Sequence, residues 1–182
     1  MVSDIKDAIK TTLLKFYNMF NHKGAGIGGQ CDFIFKASES RHLITVGFLK
    51  ALLENLDDEK AFDLAVKGFT NYMTEYYNLV LGSTKERSQE RFDVFRQHYR
   101  QASLKSPYCQ IIKSTPEILE VRYDRCPFAE VAVKYNVFKL AYAFCLSDYE
   151  FTKNVLPGVD FQRKHEIIKE DRFCDHKWVF IK

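Results

Sequence analysis

A chain of 182 residues is long enough for one sizeable hydrophobic core and short enough to predict a single domain over 1–182. With 27 basic against 24 acidic side chains spread evenly, the net charge of +3 gives no sign of the one-signed basic face of a nucleic-acid binder, and no nucleic-acid partner is expected. The opening MVSDIKDAIK has no basic region followed by an apolar core, and nowhere do eighteen apolar residues run together, so the expectation is a cytoplasmic protein with no membrane partner.

The first hundred residues read as helices. Residues 3–21 open on Ser3 and Asp4 and space Ile5, Ile9, Leu13, Phe16 and Phe20 for a helix, which ends before the glycine-rich connection 22-HKGAGIGGQ-30. Ser38 caps a second helix to about Asn55, with Leu43, Val46, Leu49, Leu53 and Leu56 on one side. After 57-DDE-59 a third runs to about Leu81 on Phe62, Val66, Phe69, Met73 and Tyr76. The serine and glutamate of 83-STKE-86 form a capping box that opens a fourth, through about Gln101. Its charged run, 85-KERSQERFDVFRQHYR-100, reads as a solvated face.

Strand patterns take over after Pro107. The segments 108-YCQIIK-113 and 118-ILEVRYD-124 are rich in β-branched and aromatic residues and join at Ser114-Thr115-Pro116 as a hairpin. A helical stretch from Pro127 to about Tyr149, interrupted near Asn136, leads to two further strands over 160–169 and 174–182. Residues 1–104 are thus mainly helical and 105–182 mixed. The predicted class is α+β, an N-terminal helical layer on a small antiparallel sheet formed mainly by the C-terminal half.

Glycines 24, 26, 28 and 29 follow a helix and lack the Lys-Ser/Thr ending of a phosphate-binding loop, so they read as a turn region. Five cysteines, an odd number in a chain that needs no disulfide staples, are expected to be reduced. Cys31 and Cys109 sit among apolar residues and read as packing. Cys126, Cys145 and Cys174 each have an ionisable neighbour. Cys126 is flanked by Arg125 and precedes Pro127 at a helix start, a setting that favours thiolate, which makes it the best nucleophile candidate. The same three cysteines with Asp148, Asp175 or His176 can alternatively hold zinc. Separations of 19 and 29 residues neither support nor exclude that, and no metal site is assigned. Strand alternation sends Cys174, His176, Trp178 and Phe180 to one face and Asp175, Lys177, Val179 and Ile181 to the other.

Taken in order, 125-RCPFAE-130, 145-CLSD-148 at a helix end, Pro157 before an extended segment, and 171-DRFCDHKW-178 resemble the C-terminal half of the L-2-amino-thiazoline-4-carboxylic acid hydrolase family, over about residues 120–180. Two places depart from that pattern: 163-RKHEII-168 replaces a usual Arg-Thr pair, and 170-EDRF-173 lacks a glycine that commonly precedes the last cysteine. The resemblance implies hydrolytic opening of a small five-membered ring at an amidine-like C=N carbon bonded to sulfur, giving an N-carbamoyl cysteine. It implies catalytic roles for Cys126, Asp148, Cys174 and His176, and substrate contacts from Arg125, Arg163, Cys145 and Asp175. Cys126 attacks or orients, Asp148 acts as base or holds the amidine, and Arg125 or Arg163 receives the substrate carboxylate. The alternative is a non-catalytic sensor or carrier of a small ligand with a structural thiolate metal site. A third reading is an interaction domain whose cysteines are only packed. Oligomeric state is open.

Overall fold

The computed structural model describes residues 30–82, 88–104, 106, 108–169 and 171–181, with side chains from His42 onward. The helix expected over 3–21, the glycine-rich connection, the 83–86 capping box and the Cys31 side chain lie outside the described residues. The described elements run α1 (Gln30–Asn55), α2 (Asp58–Leu81), α3 (Gln89–Ser103), β1 (Cys109–Ser114), β2 (Ile118–Tyr123), α4 (Pro127–Lys134), α5 (Phe138–Val155), β3 (Val159–Gln162), a short 3₁₀ turn (Ile167–Lys169) and β4 (Cys174–Phe180). The class is α+β, with helices first and one four-stranded antiparallel sheet from the C-terminal half.

The chain forms two compact units. The first consists, among described residues, of 30–65 and 127–141. Here Val46, Leu49, Ala61, Ala65, Val131, Ala132, Val137 and Ala141 are buried, and the His42 and Phe128 rings lie 5.4 Å apart. The break between α4 and α5 falls at Asn136, as expected. Its φ of 56° is the left-handed conformation that asparagine tolerates, while Asn136 N–H and Val137 N–H donate to Val133 O (3.1 Å) and Ala132 O (2.9 Å), the paired bonds of a Schellman cap.

The second unit comprises 66–126 and 142–182 and contains the whole sheet, ordered β1-β2-β4-β3. Thr115 N–H donates to Ile118 O at 2.8 Å and closes the β1–β2 hairpin where the sequence placed it. Pro157 and Gly158 occupy the middle of a turn closed by Val159 N–H to Leu156 O (3.0 Å). Gly158 supplies the φ of 84° that such a turn demands, so α5 passes directly into β3. In antiparallel register Tyr123 faces Cys174, Val121 faces His176, and Leu119 and Phe161 both face Trp178. One sheet face therefore presents Tyr123, Val121, Leu119, Cys174, His176 and Trp178 together, which is the alternation read from the sequence.

Helices cover that face. Tyr77 from α2, Phe92, Phe95 and Tyr99 from α3, and Phe151 and Val155 from α5 join Leu119, Val121, Phe161 and Trp178 in one buried cluster. The Trp178 ring lies 4.8 Å from Tyr99, 5.0 Å from Phe161 and 5.3 Å from Phe95, in the tilted and edge-on arrangements that aromatic quadrupoles favour. Much of the aromatic content thus fills this core.

Several details differ from the sequence reading: α1 begins at Gln30, so that Ser38 lies inside the helix it was expected to cap, and α5 continues past Tyr149 to Val155. The buried residue near the end of α2 is Tyr77 (5% exposed), whereas Tyr76 is 39% exposed, because Ala61, Ala65, Phe69 and Tyr77 form the inward stripe at four-residue spacing. α3 runs from Gln89, with Ser88 as its N-cap, whose side chain accepts from Arg91 N–H. Arg91 does not belong to a solvated face. It is 4% exposed, and its guanidinium donates to Val155 O (2.6 Å), Gly82 O (2.7 Å) and Asn78 Oδ1 (3.0 Å), satisfying carbonyls that end two helices. Finally, β3 stops at Gln162 instead of running to residue 169. The Asp175 carboxylate accepts from Lys164 N–H (2.9 Å) and His165 N–H (2.5 Å), so these amides turn out of the ladder and the chain leaves the sheet at Arg163.

Candidate functional site

The turn after β3 carries Arg163 into the protein. Its side chain is 1% exposed, which requires that every donor find an acceptor or a ligand. Nη1 donates to the Cys145 backbone carbonyl at 3.1 Å, and Nη2 donates both to Asp148 Oδ2 and, at 2.9 Å, to His176 Nε2. Asp148 is 5% exposed. Cys145 and Asp148 are three apart on α5 and so share a helix face, while His176 comes from the covered face of β4. Thr152 holds this turn of α5 to the sheet: its hydroxyl donates to Asp148 O (2.7 Å) and receives the Trp178 indole N–H (3.2 Å).

The charges in this cluster follow from burial. Desolvation pushes the Asp148 carboxyl up to about 6 even though Arg163 pulls the other way by charge and hydrogen bond. Burial opposes the Arg163 charge, but the charge and hydrogen bond of Asp148 outweigh it and keep the guanidinium protonated. Desolvation, reinforced by Arg163, drives His176 well below the ordinary imidazole value. His176 is therefore neutral. Since guanidinium can only donate, Nε2 accepts and Nδ1 carries the proton. Burial raises the Cys145 thiol to about 12 and the Cys174 thiol to about 11. Cys174 Sγ also accepts from Ile167 N–H at 3.0 Å. Charge on Cys126 acts on both of these thiols, so the three sulfurs lie within electrostatic reach of one another.

Of the residues singled out in the sequence, Asp148, Arg163 and His176 meet directly, the Cys145 backbone carbonyl joins them through Arg163, and Cys174 and Cys126 act on this region electrostatically. Two lie differently. Asp175 spends its carboxylate on the backbone of residues 164 and 165, shaping the turn that delivers Arg163. The Arg125 guanidinium lies over the Tyr108 ring at 5.2 Å.

Sequence reasoning missed Glu166 and three tyrosines. Glu166 is 8% exposed and acts electrostatically on Asp148, Arg163 and Cys174. The hydroxyl of Tyr99 meets those of Tyr77 and Tyr123, Tyr123 meets the Cys109 thiol, and all three phenols feel Asp148, with burial raising each well above 10.0. The Tyr123 ring lies tilted against His176, with the ring centres 4.9 Å apart. The one available signal was the alternation that put Tyr123 beside Val121. Glu166 lay in what read as a continuous strand, and Tyr77 and Tyr99 in amphipathic helices.

Two observations bear on metal. Among the described residues, no three His, Cys, Asp or Glu side chains are grouped to hold an ion. Asp148 Oδ2, His176 Nε2 and the Cys145 backbone carbonyl all converge on the Arg163 guanidinium, a fixed cation beside which a second cation would be repelled. Among the described residues no helix is long and apolar enough to cross a membrane.

Fold and site together define an α+β protein with an acid–guanidinium–imidazole cluster enclosed between α5 and the sheet. The chain belongs to the L-2-amino-thiazoline-4-carboxylic acid hydrolase family, whose model matches residues 37–178 and so takes in the helical half as well as the C-terminal motifs. A search of curated proteins finds no match.

Proposed function

We propose that this chain is a hydrolase that opens a small cyclic amidine, with 2-amino-thiazoline-4-carboxylate, yielding N-carbamoyl cysteine, as the specific candidate. The family's name supports the reaction class. The observation that carries the reading is the set of polar atoms left without partners at the cluster. Five buried side-chain polar atoms lack a hydrogen-bond partner among the described residues, and three of them, Arg163 Nε, His176 Nδ1 and Glu166 Oε2, belong here. Folded proteins leave few such atoms, and a concentration of two donors and one acceptor at a charged site is what a small polar ligand completes.

Ring opening needs a nucleophile at the carbon between nitrogen and sulfur, a base for water and a leaving sulfur. Cys145 and Cys174 are held protonated by burial, which leaves Cys126 as the attacking thiol in this proposal. Its sulfur adds to the ring carbon, the ring C–S bond breaks, and the released sulfur takes up a proton. The resulting isothiourea retains every substrate atom. Water, deprotonated by Asp148, then attacks that carbon and the Cys126 C–S bond breaks, so the product gains one water. Arg163 Nε–H and His176 Nδ1–H are donors suited to the substrate carboxylate. In the test, purified protein is supplied with 2-amino-thiazoline-4-carboxylate while thiol release and N-carbamoyl cysteine are followed. Turnover that is lost in Cys126→Ser and Asp148→Asn is expected. Full activity of Cys126→Ser removes that residue from the mechanism, and no turnover of any cyclic amidine by the wild type removes the reading.

A further inference from the structure

We infer that Glu166 is a specificity-determining residue of this site, its Oε2 receiving an N–H of the amidine end of the substrate. The inference rests on the hydrolase reading and adds a residue that the family motifs do not contain. Glu166 is enclosed, and its two oxygens are treated differently. Oε1 takes the Lys169 ammonium at 3.1 Å, whereas Oε2 is buried with no donor among the described residues. A buried carboxylate oxygen without a donor forfeits its hydration, and a donor arriving with a ligand recovers that loss.

The surrounding turn fixes this carboxylate. Glu166 N–H donates to Asp171 Oδ2 (2.8 Å), Glu166 O accepts from Lys169 N–H (2.8 Å) and Asp171 N–H (3.3 Å), and the next residue, Ile167, donates its N–H to Cys174 Sγ (3.0 Å). Glu166 is thus tied to the turn that carries Arg163 on one side and to a thiol of the cluster on the other. Its negative charge acts on both of them and on Asp148. The donors Arg163 Nε–H and His176 Nδ1–H complement an anion, while Oε2 complements an N–H donor. Together they call for a ligand carrying both, a carboxylate and an amidine, with Glu166 reading the exocyclic amino group that a 2-methyl-thiazoline lacks.

The test compares wild type with Glu166→Gln, measuring KM and kcat for 2-amino-thiazoline-4-carboxylate and the inhibition constant of 2-methyl-thiazoline-4-carboxylate. Loss of a charged acceptor from binding is expected to raise KM roughly 10- to 100-fold with kcat little changed, and to leave the inhibition constant where it was. An unchanged KM overturns the assignment, and so does a parallel rise of KM and inhibition constant, which marks a general loosening of the turn. If Glu166→Gln does not fold, Glu166→Asp, which withdraws the carboxylate by one methylene, reads the same split. Absence of turnover in the wild type defeats the hydrolase reading itself, an outcome distinct from turnover that ignores Glu166.

Discussion

Replacing Arg163 with methionine tests the electrostatic heart of the site. Asp148 carries a folded-state value of about 6 against 3.8 unfolded, so the native state binds its proton more tightly than the unfolded chain does. Stability from this group is therefore greatest at low pH and is lost as pH rises through about 6, the reverse of a well-solvated salt-bridged carboxylate. The interval corresponds to about 3 kcal/mol. Arg163 keeps the cost from being larger, since its charge and hydrogen bond both favour the carboxylate. In Arg163→Met the Asp148 value climbs further, and each added unit costs about 1.4 kcal/mol at pH 8, where the wild-type acid is ionised. At pH 5 Asp148 is protonated in both proteins and this cost vanishes. His176 moves the penalty the same way: its folded value is depressed, which costs stability below 6.5, and removing the nearby cation relieves part of that at pH 5. Urea unfolding at the two pH values is the assay. The destabilisation by Arg163→Met is expected to be larger at pH 8 than at pH 5 by about 2–3 kcal/mol, in line with the cost of unpairing a buried charge. Equal destabilisation at both pH values refutes the view that Arg163 is the counter-ion of Asp148.

Three further outcomes follow from named contacts. If Asp148 acts as the base, kcat rises with pH through about 6 as the carboxylate forms, and in Arg163→Lys, where one ammonium cannot reach both Asp148 and the Cys145 carbonyl as the two guanidinium arms do, residual activity shows that limb shifted upward. Asp175→Ala releases two backbone donors and costs about 1–3 kcal/mol in urea unfolding, and it also lowers kcat/KM because the turn no longer holds Arg163. Arg91→Met strips the donor from carbonyls at the ends of α2 and α5 and is expected to lower stability by about 2–4 kcal/mol without altering KM, since Arg91 touches none of the cluster.

What the sequence disclosed was what short-range rules govern. The hairpin at Thr115, the helix break at Asn136 and the shared face of Cys174 and His176 depend on turn chemistry and on periods of 2 and 3.6, and each stands where it was expected. No spacing rule links positions 126, 145 and 174, so the sequence connects these thiols only through the order of the motifs. Arg91 and Glu166 were illegible for a different reason. Both are charged residues that conventionally face water, and each is buried through partners remote in sequence or in a turn that side chains create: Val155 lies 64 residues from Arg91, and the turn around Glu166 exists because Asp175 and Asp171 capture its amides. The end of β3 was missed on the same account, because a carboxylate eleven residues downstream outcompetes the ladder for Lys164 N–H.

The central claim is that the Cys126 sulfur opens the ring beside the Arg163 cluster, and intact-mass spectrometry of an acid-quenched single turnover addresses it most directly. The account expects a transient species heavier than the protein by one whole substrate molecule, mapped to Cys126 and decaying as N-carbamoyl cysteine forms. Product formed at full rate by Cys126→Ser, with no adduct at any time point in the wild type, contradicts it.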